Sequence, residues 1–241
     1  MYMKVQIDNL LDEKNKMLWF KLQEQCTINV DYHSYSWYSV YSQNDTHTVY
    51  VPLGVALDCA AFAHELLHIE IRNKEMELPA GIKYLIWGRP SITMCFTDDL
   101  IEHMINCFNH IKMLPEFLKL GYRPDEFISD YLENKFTDFE AYNIVSNYYN
   151  KATGIYNSVA IDYYIGKYIA VKACPNASFN YSKNLQSLND LDSNLFTVLE
   201  KFHSDWSAYD KATTSIVVDP HSIASDFIEN MEKWSNGKVI L

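Results

Sequence analysis

Residues 61–70 read AFAHELLHIE. His64 and His68 stand four apart, Glu65 follows the first of them, and almost everything around them is apolar. The run from about 57 to 72 has the length and continuous hydrophobicity of a buried helix, and Asp58 is placed to cap its start. Residues four apart share a helix face, so the two imidazoles can approach one ion while Glu65 stands beside it. Buried ionisable groups are costly unless paired or bound to metal. The competing reading is a partly exposed helix with His64, Glu65 and His68 in water. Apolar residues on both sides leave no broad solvent face for it. The donor set points to zinc, which brings the pKa of a bound water near neutrality and leaves the glutamate to take the proton.

Upstream the chain changes character. Residues 26–32 (CTINVDY), 36–42 (SWYSVYS) and 47–53 (HTVYVPL) are rich in β-branched and aromatic residues and partly alternate, with QNDT (43–46) as a turn. They predict two or three antiparallel strands. Residues 8–25 have the spacing of an amphipathic helix. Downstream, 73–90 reads as irregular and ends in the turn signal WGRP. A second strong helix is expected over about 98–113, opened by Asp98 and Asp99. LPEFLKLGYRP (114–124) predicts a short helix stopped by Gly121 and Pro124. Helical patterns continue over about 125–134, 138–151, 156–172, 189–208 and 221–233, and 174–190 is the best linker. The expected fold class is α+β, mainly α-helical. Its expected units are 1–173, with a small N-terminal antiparallel sheet, and a helical 174–241, or one domain throughout.

Strands followed by an H-E-x-x-H helix resemble the zincin metallopeptidases. The resemblance covers about the first half of the chain, and only the H-E-x-x-H is specific. It implies a zinc metallopeptidase: a hydrolase that cleaves a peptide bond with a zinc-bound water activated by Glu65. It also implies a zinc held by His64, His68 and a third ligand from a later helix. In that family an edge strand pairs with an extended peptide substrate, and the expected equivalent is HTVYVPL. Glu70 departs from the pattern, which usually has an apolar residue there. With no HExxHxxGxxH, the glutamate-ligand, thermolysin-like branch remains.

The helix TDDLIEHMINCFNHIK (97–112) offers the third ligand. Ile101, Met104, Ile105, Phe108 and Ile111 form one apolar stripe. At 3.6 residues per turn, Glu102 lies at its flank with Asp98 and Asn109, whereas His103, Asp99 and His110 lie farther toward solvent. Glu102 is the expected ligand, Asp98 and His103 are the alternatives, and Asn106 is placed to support Glu102. An oxyanion donor is left open among His203, His221 and the tyrosines of the C-terminal half.

Composition narrows the function classes. The 241 residues carry a formal charge of −11, which disfavours nucleic acid and anionic membrane surfaces. Gly and Pro number 7 each, and no glycine-rich nucleotide loop is present. The 5 cysteines are scattered without a CxxC pair, as expected of reduced thiols in a cytoplasmic protein. Residues 1–16 lack the apolar core of a signal peptide, and no stretch of about 18 residues is apolar throughout. The zincin resemblance implies a peptide or protein substrate. The alternatives are a non-enzymatic interaction protein that keeps the fold and a metal-dependent hydrolase of a non-peptide substrate.

Overall fold

The computed structural model describes residues 5–210 and 219–241, so residues 1–4 of the stretch read for a leader lie outside it. The chain is α+β and mainly helical, with two small three-stranded sheets. It divides into two compact units, one of residues 1–75 and 112–132 and the other of 76–111 and 133–241. Leu78, Ile101, Phe108, Leu188, Phe202 and Phe227 lie in one continuous buried core, so the C-terminal helices cannot be separated from residues 76–111.

In the first unit a 3-10 turn (Ile7–Asn9) precedes helix α1 (Lys16–Gln23). The helix starts later than its apolar spacing predicts because the Asp12 carboxylate accepts from the Lys14 and Asn15 amides, folding 12–15 into a turn. Strands β1 (Thr27–His33), β2 (Ser39–Gln43) and β3 (Thr46–Pro52) form a sheet of order β1-β3-β2. The β2–β3 pair is an antiparallel hairpin turned at Asn44 (φ 53°). β1 pairs parallel with β3. The sheet is therefore mixed rather than antiparallel, and HTVYVPL is its central strand rather than an edge. Residues 34–38 explain both corrections: they cross the roughly 10 Å of two strand spacings and leave the middle place for the hairpin's second strand. Inward-facing Val49 and Val51 are fully buried. Helix α2 (Cys59–Asn73) packs on this sheet and on α1, where Trp19 meets Phe62 at 5.6 Å.

The second unit begins with α3 (Ile82–Trp87), a short helix in the stretch read as irregular, and α4 (Pro90–Thr93), which starts at its last residue. Helix α5 (Asp98–Lys119) joins two predicted pieces into one and runs through Pro115. Proline inside a helix costs about 3 kcal/mol. Burial of Met113 and Phe117 on either side of it offsets that cost. Gly121 (φ 94°) then turns the chain. Residues 125–134 are not a helix: a 3-10 turn (Pro124–Glu126) closes on itself through the Glu126 carboxylate and the Arg123 amide.

Helix α6 (Asp138–Asn147) stops short of residue 151 because β4 (Tyr149–Asn150) pairs with β5 (Ile155–Tyr156) and β5 with β6 (Val239–Ile240). Helices α7 (Ser158–Lys172), α8 (Ser182–Leu191), α9 (Ser193–Ala208) and α10 (Pro220–Ser235) complete the unit. Much of the expected linker is thus α8, whose Leu188 is fully buried. Asp192 links these elements. Its carboxylate accepts from Tyr148 Oη and Trp234 Nε1, both at 2.9 Å, and from the Leu195 amide that starts α9.

Candidate metal centre

Helix α2 carries the H-E-x-x-H residues. Asp58 caps it as predicted, accepting from the Ala60 and Ala61 amides at 2.8 and 3.1 Å, and its own amide donates to Tyr38 Oη at 2.8 Å. Ten of its residues, from Ala60 to Ile71, are buried, His64 and Glu65 among them. The expectation of a helix without a broad solvent face therefore holds.

The two glutamates of this helix show what burial does with and without a cation. Glu70 is 6% exposed. Burial pushes its carboxyl pKa up, but Lys21 at 2.7 Å and Lys74 at 3.1 Å outweigh it and hold the group below the usual glutamate value. The departure from the H-E-x-x-H family pattern at Glu70 is thus an ion-paired anchor of α2 to α1. Glu65 is 8% exposed, and burial alone acts on it, pushing its pKa up to about 8. Burial likewise pushes His68 down to about 4, so its imidazole is neutral at pH 7 and able to donate a lone pair.

The His64 and His68 rings lie 5.1 Å apart at 64°. His64 also packs at 4.8 Å against Phe127, which meets Phe117 at 5.1 Å. This apolar wall fixes the first imidazole. The third residue that could join them at a metal is His110 of α5. Ligand atoms of His64, His68 and His110 all lie within 4.8 Å of one another. A tetrahedral site with Zn–N of about 2.0–2.1 Å needs donors about 3.4 Å apart, so the imidazoles would have to close in on a bound ion. Three imidazoles suit zinc, copper, iron or nickel. The donor set therefore fits a transition metal, and its chemistry alone does not choose among these.

Glu102, the expected third ligand, is exposed and is not in this group. It lies eight residues before His110 on α5, about 12 Å along the axis and about 80° round it. Asp98 is exposed and pairs with Lys83 at 3.1 Å. His103 is exposed and meets Cys107 Sγ at 3.6 Å. Asn106 is exposed too, whereas Asn109 is buried and accepts the Leu78 amide at 2.8 Å. His203 is half-buried on α9 beside Ser207, with its pKa lowered by burial and then by Lys172. His221 is exposed at the start of α10. Neither belongs to the group.

The sequence reading set His110 toward solvent because its apolar stripe was drawn only as far as Ile111. In the second half of α5 Met113 and Phe117 are buried, and they stand three and seven residues after His110. That spacing puts His110 at the head of a second stripe, which is the signal that could have found it.

No protein-family model, curated protein or solved structure matches this chain. Among the described residues no helix is long and apolar enough to cross a membrane.

Proposed function

We propose that the chain is a zinc-dependent hydrolase of peptide bonds, of zincin-like arrangement, with His64, His68 and His110 holding the metal and Glu65 as the general base. The observation that carries this reading is the convergence of three imidazoles, two of them on the helix that also carries the buried Glu65, whose pKa burial raises. A zinc ion held there supplies a Lewis acid that polarises a carbonyl and acidifies water. The remaining work falls to the chain. His64 is oriented by Phe127, and His68 is kept neutral by burial. Glu65 follows His64 and so lies about 100° from it around the helix; a cation bound there would oppose the rise that burial causes and keep its carboxyl ionised, able to take a proton from the attacking water and return it to the leaving nitrogen. An extended peptide would pair with β1 or β2, the edges of the first sheet.

The low exposure of His64 and Glu65, 9% and 8%, favours one second reading. A site this closed suits a protein that holds metal for structure and acts by binding partners rather than by turnover. Glu65→Gln separates the two. Glutamine keeps the shape but cannot accept the proton, so metal content and melting temperature should persist while cleavage of a peptide library falls by about 10²–10⁴-fold. Undiminished cleavage by that variant would refute the proposed role of Glu65. Absence of cleavage by the unmodified, zinc-loaded chain would favour the binding reading.

A further inference from the structure

Between Lys21 and Arg72 the sequence contains no Lys or Arg, so β1, β2, β3 and their connections carry no fixed positive side chain. Glu24, Asp31 and Asp45 lie in this stretch, are exposed, and form no ion pair among the described residues. Val49 and Val51 face inward, and the strand period of two puts Thr48 and Tyr50 on the other face of β3. The register sets Tyr41 opposite Thr48 and Asp31 opposite Tyr50, so Asp31, Tyr41 and Tyr50 share that outer face. His33 extends it into a row of rings. It meets Tyr50 at 5.8 Å and Tyr35 at 5.4 Å, and Tyr35 stacks on Trp37 at 4.8 Å and 15°. Tyr35 is 60% and Trp37 58% exposed. The backbone around them is pinned: His33 Nε2 donates to the Trp37 carbonyl at 2.6 Å, and Tyr38 Oη accepts the Asp58 amide at 2.8 Å. The other four tryptophans are already covered. Trp19, Trp206 and Trp234 are buried, and exposed Trp87 carries Lys83 Nζ at 4.7 Å from its ring centre. Trp37 is the exposed tryptophan that no cation covers among the described residues.

We infer that the Tyr35–Trp37 stack receives an arginine side chain from a basic peptide segment of a partner, with Asp31, at the far end of the row, taking a second cation of that segment. Charge and ring chemistry select this occupant. An aromatic face attracts a cation, and the indole does so most strongly. A guanidinium is planar and weakly hydrated, so it stacks on such a face better than an ammonium. An acidic or phosphorylated segment would meet Glu24, Asp31 and Asp45 with no counter-charge in the stretch, and like charges brought together at an interface are costly. A purely apolar partner would take Asp31 out of water without a partner, which is costly as well. A basic segment alone satisfies both the rings and the acids. The pinned loop favours binding further, because little side-chain freedom remains to be lost.

The test is fluorescence anisotropy of a labelled arginine–glycine repeat peptide titrated with the full chain at about 0.15 M salt. The same peptide with every arginine replaced by glutamine is titrated beside it. The unmodified chain should bind the arginine peptide and not the glutamine peptide. Trp37→Leu keeps the net charge and an apolar side chain at an exposed position, so circular dichroism and melting temperature should persist. Its affinity for the arginine peptide should fall by about 10-fold. Trp37→Phe keeps an aromatic face and should lose less. Asp31→Lys should weaken binding more than Glu229→Lys, which makes the same charge change at an exposed position of α10. Equal affinity of Trp37→Leu and the unmodified chain would overturn the inference, because general attraction to a chain of charge −11 would then explain the binding. Equal binding of the two peptides, no binding of either, or equal effects of the two lysine variants would overturn it too.

Discussion

Replacing the ionisable carboxyl of Glu65 should change how stability of the metal-free protein depends on pH. Burial raises Glu65 from 4.5 to about 8 and lowers His68 from 6.5 to about 4. Between pH 4.5 and 8 the folded chain keeps a proton on Glu65 that the unfolded chain has lost, so this contribution falls as pH rises, by about 1.4 kcal/mol per unit. Between pH 4 and 6.5 the unfolded chain binds a proton at His68 that the folded chain refuses, so that contribution rises with pH at the same slope. The two cancel between pH 4.5 and 6.5. From 6.5 to 8 Glu65 acts alone, and over that span it removes at most about 2 kcal/mol. Glu65→Gln abolishes this loss. The assay is urea unfolding of chelator-treated protein, unmodified and Glu65→Gln, at several pH values from 6.5 to 8. The stability difference between them should grow by about 2 kcal/mol toward pH 8. A difference that stays flat across that range would show that Glu65 ionises freely in the fold, and the argument from its burial would fail.

Other consequences are as direct. In chelator competition, His110→Ala should weaken metal binding at least as much as His68→Ala, whereas Glu102→Ala should leave it unchanged. Dependence on Glu102 with none on His110 would return the third ligand to the sequence expectation. Asp192→Ala leaves the buried hydroxyl of Tyr148 and the indole of Trp234 without their acceptor and removes the cap of α9. It should cost about 3 kcal/mol in chemical denaturation; a loss below about 1 kcal/mol would show that water replaces the carboxylate.

Local signals were legible where one residue type settles the backbone. Asp58 capped α2, and the apolar run after it gave that helix and its burial. Ile101, Met104 and Phe108 of α5 are buried as their stripe required. Pairing across distance was not legible. The same alternation in HTVYVPL serves a central or an edge strand, and only the 34–38 crossing decides that β3 lies between β1 and β2. The strands of the second sheet are two residues each, too short to carry a period. At the candidate metal centre, the H-E-x-x-H spacing named two of the three histidines that come together, His64 and His68. His110, the third, lay inside the helix expected over 98–113 but on a side read as facing solvent, and only the buried Met113 and Phe117 beyond it show that α5 turns that side inward.

Elemental analysis of the purified chain tests the central claim most directly. The account predicts about one zinc per chain, lost in His64→Ala, His68→Ala and His110→Ala alike while each variant stays folded. Purified protein that binds no transition metal even after zinc is added, or full zinc occupancy in all three variants, would contradict it.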